Sequence, residues 1–183
     1  MGLRRLETYR LVCHPASPAS QVAGVTVEVR MDDADEVLLT FIVDGLPHVR
    51  IPAPQSPGRA DGLWKSTCFE LFVQPENEHG YIELNFSPSG QWAAYAFDDY
   101  RKGMRDCPLP IAPHIERDGE GFGWEIDVDL SPIRSGAMLM GLSAVVEELD
   151  GTRSYWALAH PSGKPDFHHP ACFAHRLPAA RAP

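Results

Sequence analysis

Hydrophobic and polar positions alternate along most of this chain with a period of two, in short runs rich in Val, Phe, Tyr, Trp and Thr separated by clusters of Pro, Gly, Asp and Ser. That period puts successive side chains on opposite faces of a strand, whereas an amphipathic helix repeats its apolar positions every three to four residues. Helical periodicity is nearly absent, and the runs predict strands at 7–13, 22–30, 37–43, 67–73, 81–87, 91–97, 112–117, 122–130, 138–147 and 153–159. In the cleanest of them, Phe122, Trp124, Ile126, Val128 and Leu130 alternate with Gly123, Glu125, Asp127 and Asp129, one face for a core and the other for water. Asp118-Gly119 and Asp150-Gly151 are hairpin turn signals, so 112–117 should pair with 122–130 and 138–147 with 153–159 as antiparallel meanders. The pattern predicts an all-β, two-sheet antiparallel β-sandwich of jelly-roll or immunoglobulin-like architecture. Its expected core contains Phe69, Leu71, Ile82, Leu84, Phe86, Tyr95, Phe97, Trp124, Ile126 and Val128.

A chain of 183 residues is long enough to bury a core without staples. No internal repeat and no second hydrophobic core is evident, so 1–176 reads as one domain. The segment 47–62, with Pro52, Pro54 and Pro57, reads as a long loop, and 177–183 as a disordered tail.

Charge and composition narrow the partners. A formal net charge of −9, with no run of Lys and Arg, repels polyanions, so nucleic acid is not an expected partner. No apolar stretch approaches the roughly 20 residues of a membrane span, and Glu7, Thr8, Tyr9 and Arg10 interrupt what would be the apolar part of a secretory leader. Cys13, Cys68, Cys107 and Cys172 are widely spaced with no C-x-x-C pair, which points to reduced thiols in a cytoplasmic protein. The oligomeric state is not legible.

The stretch YIELNFSPSGQWAAYAF at 81–97 carries the most chemistry. With Pro88-Ser89 as a two-residue loop, Asn85 pairs with Trp92, Glu83 with Ala94 and Tyr81 with Ala96, while Ile82, Leu84 and Phe86 share the core face with Ala93, Tyr95 and Phe97. The first face then combines a carboxylate, an amide, a large indole and two small residues. An aromatic platform with directional polar groups and room above it suits a saccharide or a flat polar ligand. In the preceding DGLWKSTCFELFVQP, alternation puts Glu70 on the face of Glu83, and Trp64 leads in from the loop. The structural alternative is that Trp64 and Trp92 merely cover the sheet and that the carboxylates pair with Arg101.

The segment YWALAHPSGKPDFHHP brings His160, Asp166, His168 and His169 into a turn-rich run. His168 and His169 are adjacent and the cysteines lack ligand spacing, so no metal site is expected, and His160 reads as a rim residue. Glu70 and Glu83 also fit a general acid and base for glycoside cleavage. No nucleophile elbow, phosphate-binding loop or H-E-x-x-H helix accompanies them. The expected function is therefore non-catalytic binding of a carbohydrate or similar small polar ligand by Trp64, Glu70, Glu83, Asn85, Trp92, Arg101 and His160. An enzyme acting on a glycan and a protein-interaction scaffold are the alternatives.

The motifs DGLWKSTCFELFVQP, YIELNFSPSGQWAAYAFDDYR and YWALAHPSGKPDFHHPACF resemble the bacterial DOMON-like proteins related to the family 9 carbohydrate-binding modules, over the chain from the first strand to about Arg176. The resemblance implies a β-sandwich whose groove holds sugars in some relatives and haem in others. It maps the segments around Trp64, Glu70, Glu83, Asn85, Trp92 and Arg101 onto the region where family 9 modules gather ligand and structural-ion contacts. No cofactor is expected. The alternatives that the resemblance raises are a structural calcium ion and a haem, for which Met104 and His160 would be the axial pair.

Overall fold

The computed structural model describes residues 5–32, 35–134 and 136–177. Its strands are β1 (Arg5–Arg10), β2 (Val12–Cys13), β3 (Gly24–Met31), β4 (Glu36–Asp44), β5 (Gly58–Arg59), β6 (Cys68–Pro75) and β7 (Tyr81–Phe86). They continue as β8 (Gln91–Phe97), β9 (Arg105–Asp106), β10 (His114–Arg117), β11 (Gly123–Asp129), β12 (Met138–Glu147), β13 (Arg153–Ala157) and β14 (His175–Leu177). One sheet has the order β1-β3-β4-β11-β10 and the other β2-β13-β12-β6-β7-β8-β5, with β14 on β12 and β9 on β8. Among the described residues every strand pairing is antiparallel except that of β5 with β8. The fold is all-β, and among the described residues no helix is long and apolar enough to cross a membrane.

The two sheets pack through their inner faces. Phe41 of the first sheet stacks on Phe69 of the second at 4.6 Å between ring centroids, with Trp124 at 5.5 Å from Phe69. Val27, Leu39 and Ile126 from one side meet Leu71, Leu84 and Leu142 from the other in the same buried cluster. Each such side chain contributes about 1.5 to 3 kcal/mol by leaving water. The hairpins expected at Asp118-Gly119 and Asp150-Gly151 join β10 to β11 and β12 to β13. The strands absent from the sequence reading, β5, β9 and β14, span two or three residues, too few to show a period.

The hairpin of β7 and β8 departs from expectation by one residue. Tyr81 pairs with Phe97, Glu83 with Tyr95, Asn85 with Ala93 and Phe86 with Trp92. Pro88, Ser89 and Gly90 form the loop, closed by Gly90 N–H donating to Ser87 O at 3.0 Å and Ser87 N–H donating to Gln91 O at 2.9 Å. A two-residue hairpin loop needs a positive φ at its first central position, and the ring of Pro88 holds φ near −65°. Proline instead suits the second position of a type I turn, and Gly90, at φ 91, takes the left-handed position that follows. The slip turns every β8 side chain over. Trp92 and Ala94 face the inter-sheet core, and Ala93, Tyr95 and Phe97 face outward.

A second apolar cluster, not anticipated, lies on that outward face. Phe72, Tyr81, Tyr95, Phe97 and Val145 are covered by Phe167, Cys172 and Phe173 of the segment that follows β13. Tyr95 and Phe97 are therefore buried, but outside the main core, and Ile82 is half-buried at its margin. Gly141 lets the covering segment lie close, since a Cβ there would meet Phe173 Cδ1 at 2.8 Å and Cys172 O at 3.2 Å. Leu177, assigned above to a tail, is buried and pairs with Met138, and residues 178–183 lie outside the described ones.

Trp92→Ala opens a cavity in the main core and should cost about 3 to 5 kcal/mol in urea unfolding. Trp64→Ala, at a side chain 38% exposed, should cost less than about 1.5 kcal/mol. Equal losses for the two would contradict the register.

Candidate functional site

The pocket floor is built by the outward residues of β6 and β7. Glu70 pairs with Asn85 and Phe72 with Glu83, which makes Glu70 and Glu83 diagonal neighbours on one face. Both are buried, at 3% and 5% exposure. Ser143 Oγ on β12 donates to Glu70 Oε2 at 2.9 Å, and Asn85 Nδ2 donates to Glu83 Oε1 at 2.8 Å. Val145, Phe97 and Tyr155 extend this floor to either side.

Three irregular segments raise the walls. A short 3-10 turn at Leu63–Lys65 carries Trp64, whose ring stands edge-on to Tyr95 at 6.1 Å. Tyr95 holds this side of the pocket by donating from its hydroxyl to Asp61 Oδ1 at 2.6 Å. After β8 come Arg101 and Met104, and after β13 the run from Pro165 to His168. The enclosed volume is about 490 Å³, within the ordinary range of small-molecule pockets.

Hydrogen bonds tie the walls to the floor. Arg101 N–H donates to Tyr81 Oη at 3.2 Å, and that hydroxyl meets His168 Nδ1 at 2.8 Å. On the far side of the ring, His168 Nε2 lies 3.6 Å from Glu83 Oε2. Arg101 Nη2 binds Asp166 Oδ1 at 2.7 Å, and Tyr100 Oη also donates to Asp166.

Burial dominates the electrostatics. It pushes Glu70 up to about 8, reinforced by repulsion from Glu83 and opposed by the Ser143 hydrogen bond. Glu83 is also raised by burial, against the Asn85 hydrogen bond and the charge of Arg101. Burial, helped by the Arg101 charge and opposed by Asp166, takes His168 down to about 4, so its ring is neutral at pH 7.

Of the residues expected at the site, Trp64, Glu70, Glu83 and Arg101 line one pocket. Asn85 lies at its base and orients Glu83. Trp92 is on the opposite face, a consequence of the corrected register. His160 is not among the lining residues: its Nε2 meets Val12 O at 2.8 Å and its ring stands edge-on to His14 at 4.8 Å. Arg101 acts on Glu83 through its charge but makes its ion pair with Asp166, so both Glu70 and Glu83 are shifted upward instead of being held ionised by a shared guanidinium.

Sequence reasoning missed Phe97, Val145, Tyr155, Arg153 and Lys65 as lining residues, and left Asp166 and His168 without a role there. The clue was the polar, turn-rich run ahead of Phe173, whose length allows it to cross a sheet face. Met104 lines the pocket, and His160 Nε2 is engaged with Val12 O. Among the described residues no group of three or more His, Cys, Asp or Glu side chains is placed to hold a metal ion.

Because Glu70 is raised to about 8 in the folded protein, its contribution to stability is full below the unfolded carboxylate value and is lost as pH rises through about 8. Glu70→Gln removes that dependence. The wild type should lose melting temperature between about pH 6 and pH 8.5 by about 4 °C or more beyond the loss in the variant. Parallel losses measured by calorimetry would show that Glu70 ionises in the usual carboxylate range.

Neither a protein-family model nor a curated protein matches the sequence. Among solved structures, a crystal structure described as a "putative carbohydrate-binding protein" from Bacteroides uniformis is similar, with a TM-score of 0.63 and 19% identity over 91% of this chain and 84% of that one. At that identity the likeness establishes a shared fold.

Proposed function

We propose that the protein binds a carbohydrate or a similar small polar ligand in this pocket without converting it. The observation that carries the reading is a cavity of about 490 Å³ with aromatic walls and a buried polar floor. The apolar face of a sugar ring would lie against Trp64, Tyr155 or Phe167, while its hydroxyls bond Glu70 and Glu83. Glu70 carries its proton at pH 7 and can donate as well as accept. The fold shared with a protein described as carbohydrate-binding supports this reading, as does the resemblance of the motifs to DOMON-like and family 9 modules, and we assign the chain to that group on the same grounds. A cytoplasmic location belongs to the proposal and is supported by four free cysteines.

One observation favours a second reading, hydrolysis of a glycan. A carboxylic acid that keeps its proton beside a second carboxyl group is the division of labour that glycosidases use. A protein-interaction scaffold is less well supported, because the aromatic residues line a recess beneath the segment after β13.

Calorimetric titration against a panel of sugars and polar metabolites, with mass analysis of the recovered ligand, separates the readings. The expected result is saturable binding of an unchanged ligand, weakened about threefold to tenfold by Trp64→Ala, as loss of one aromatic contact implies. Conversion that disappears in Glu70→Gln would establish the hydrolytic reading, and a panel without any binder would end both.

A further inference from the structure

The pocket floor holds two acids without a matching base. Glu70 and Glu83 are more than nine-tenths buried and both line the cavity. Glu70 receives Ser143 on Oε2, and its other oxygen has no hydrogen-bond partner among the described residues. Glu83 receives Asn85 on one oxygen and faces His168 with the other. The groups around the pair are Cys68 on β6, Ser143 on β12, Tyr81 and Asn85 on β7, Tyr95 on β8, and Arg101, Asp166 and His168 on the walls.

None of these supplies a free positive charge. His168 is neutral at pH 7. Arg101 lowers Glu83 through its charge but makes its ion pair with Asp166 at 2.7 Å. Arg153, on the rim, donates to Lys65 O at 2.7 Å and approaches Glu147 at 3.7 Å. Lys65 is exposed at the mouth, where solvent and salt screen it from the floor. A buried carboxyl pair in this position stays near neutrality by holding a proton, and a cation that enters the cavity can replace that proton.

We propose that the pocket selects ligands carrying a protonated amine, an amino sugar or another polyhydroxylated amine, with the ammonium on Glu70 and Glu83 and the apolar face of the ring against Trp64 and Tyr155. An ammonium has three donors, enough for the unpartnered oxygen of Glu70 and the outward oxygen of Glu83 with one left for water. Aromatic walls beside a carboxylate floor are also the surroundings in which a desolvated ammonium is stabilised by ring faces. On binding, the Glu70 O–H bond breaks, its proton passes to the buffer, and the carboxylate formed pairs with the ammonium. This selectivity rests on the carbohydrate reading for the ring and on the acid pair for the charge, and the two separate by experiment.

Glucosamine, glucose, N-acetylglucosamine and cyclohexylamine are titrated calorimetrically at pH 7 in two buffers of different protonation enthalpy. Glucosamine should bind at least about tenfold more tightly than glucose or the N-acetyl sugar, with release of close to one proton. Glu70→Gln and, separately, Glu83→Gln should reduce that preference below about threefold, with the folding of each variant checked by its cooperative thermal unfolding. Equal affinity for glucose and glucosamine overturns the amine selectivity and leaves the carbohydrate reading in place, and a preference without proton release overturns the exchange of the Glu70 proton for the ammonium. Binding of cyclohexylamine with no sugar bound overturns the carbohydrate reading and leaves the amine site. No binding of any of the four overturns both.

Discussion

Phe173 stacks on Phe72 at 5.5 Å and reaches Tyr81 at 5.5 Å, and His168 stands edge-on to Phe72 at 5.4 Å. Through these contacts the segment after β13 covers the outer face of the second sheet, and β6 becomes buried on both faces. An uncovered outer face would be wet, and a solvated carboxyl ionises in its ordinary range. The cover makes Glu70 and Glu83 interior groups, raises the wall of the pocket with Pro165 to His168, and shapes the cavity between that wall and Trp64.

Burying two carboxyl groups in one floor works against folding, since each loses hydration that only hydrogen bonds and neutralisation can offset. Ser143 and Asn85 supply hydrogen bonds from neighbouring positions of the sheet. The remaining cost falls at the pocket, where residues that serve binding are commonly less well satisfied than the core around them. The contrast with the inner face is sharp: there Phe41 stacks on Phe69 with Trp124 beside it, in the main apolar core. The sandwich supplies stability through one face of the second sheet and chemistry through the other.

The anchoring of the walls follows the same division. Arg101, at φ 53, turns the chain after β8 so that its backbone N–H reaches Tyr81 while its guanidinium reaches Asp166. Two wall segments far apart in sequence are thereby joined to each other and to a floor tyrosine. Tyr95 does the equivalent on the opposite side by holding Asp61 ahead of Trp64. Both tyrosines are outward residues, so the sheet itself sets the spacing between the walls.

Alternation and turn residues in the chain were enough to determine the all-β class, the strands from β3 to β13 longer than two residues and the two Asp-Gly hairpins, because a period of two and a turn signal are local properties; that Glu70 and Glu83 share one face also needed the β6–β7 register. Trp64 and Arg101 were also legible as flanking residues, being close in sequence to the strands they serve. The β7–β8 register was written locally as well, in a proline that cannot take a positive φ, and reading the loop as two residues put Trp92 on the wrong face. The cover over the outer face was decided only by tertiary structure. Nothing periodic marks Asp166, Phe167, His168 or Phe173 as a layer, and their place depends on the bare backbone at Gly141 and on aromatic residues of β6 and β7 nearly a hundred positions earlier. The raised pKa of Glu70 and the neutral ring of His168 come from that cover, since desolvation is a property of what surrounds a side chain in space.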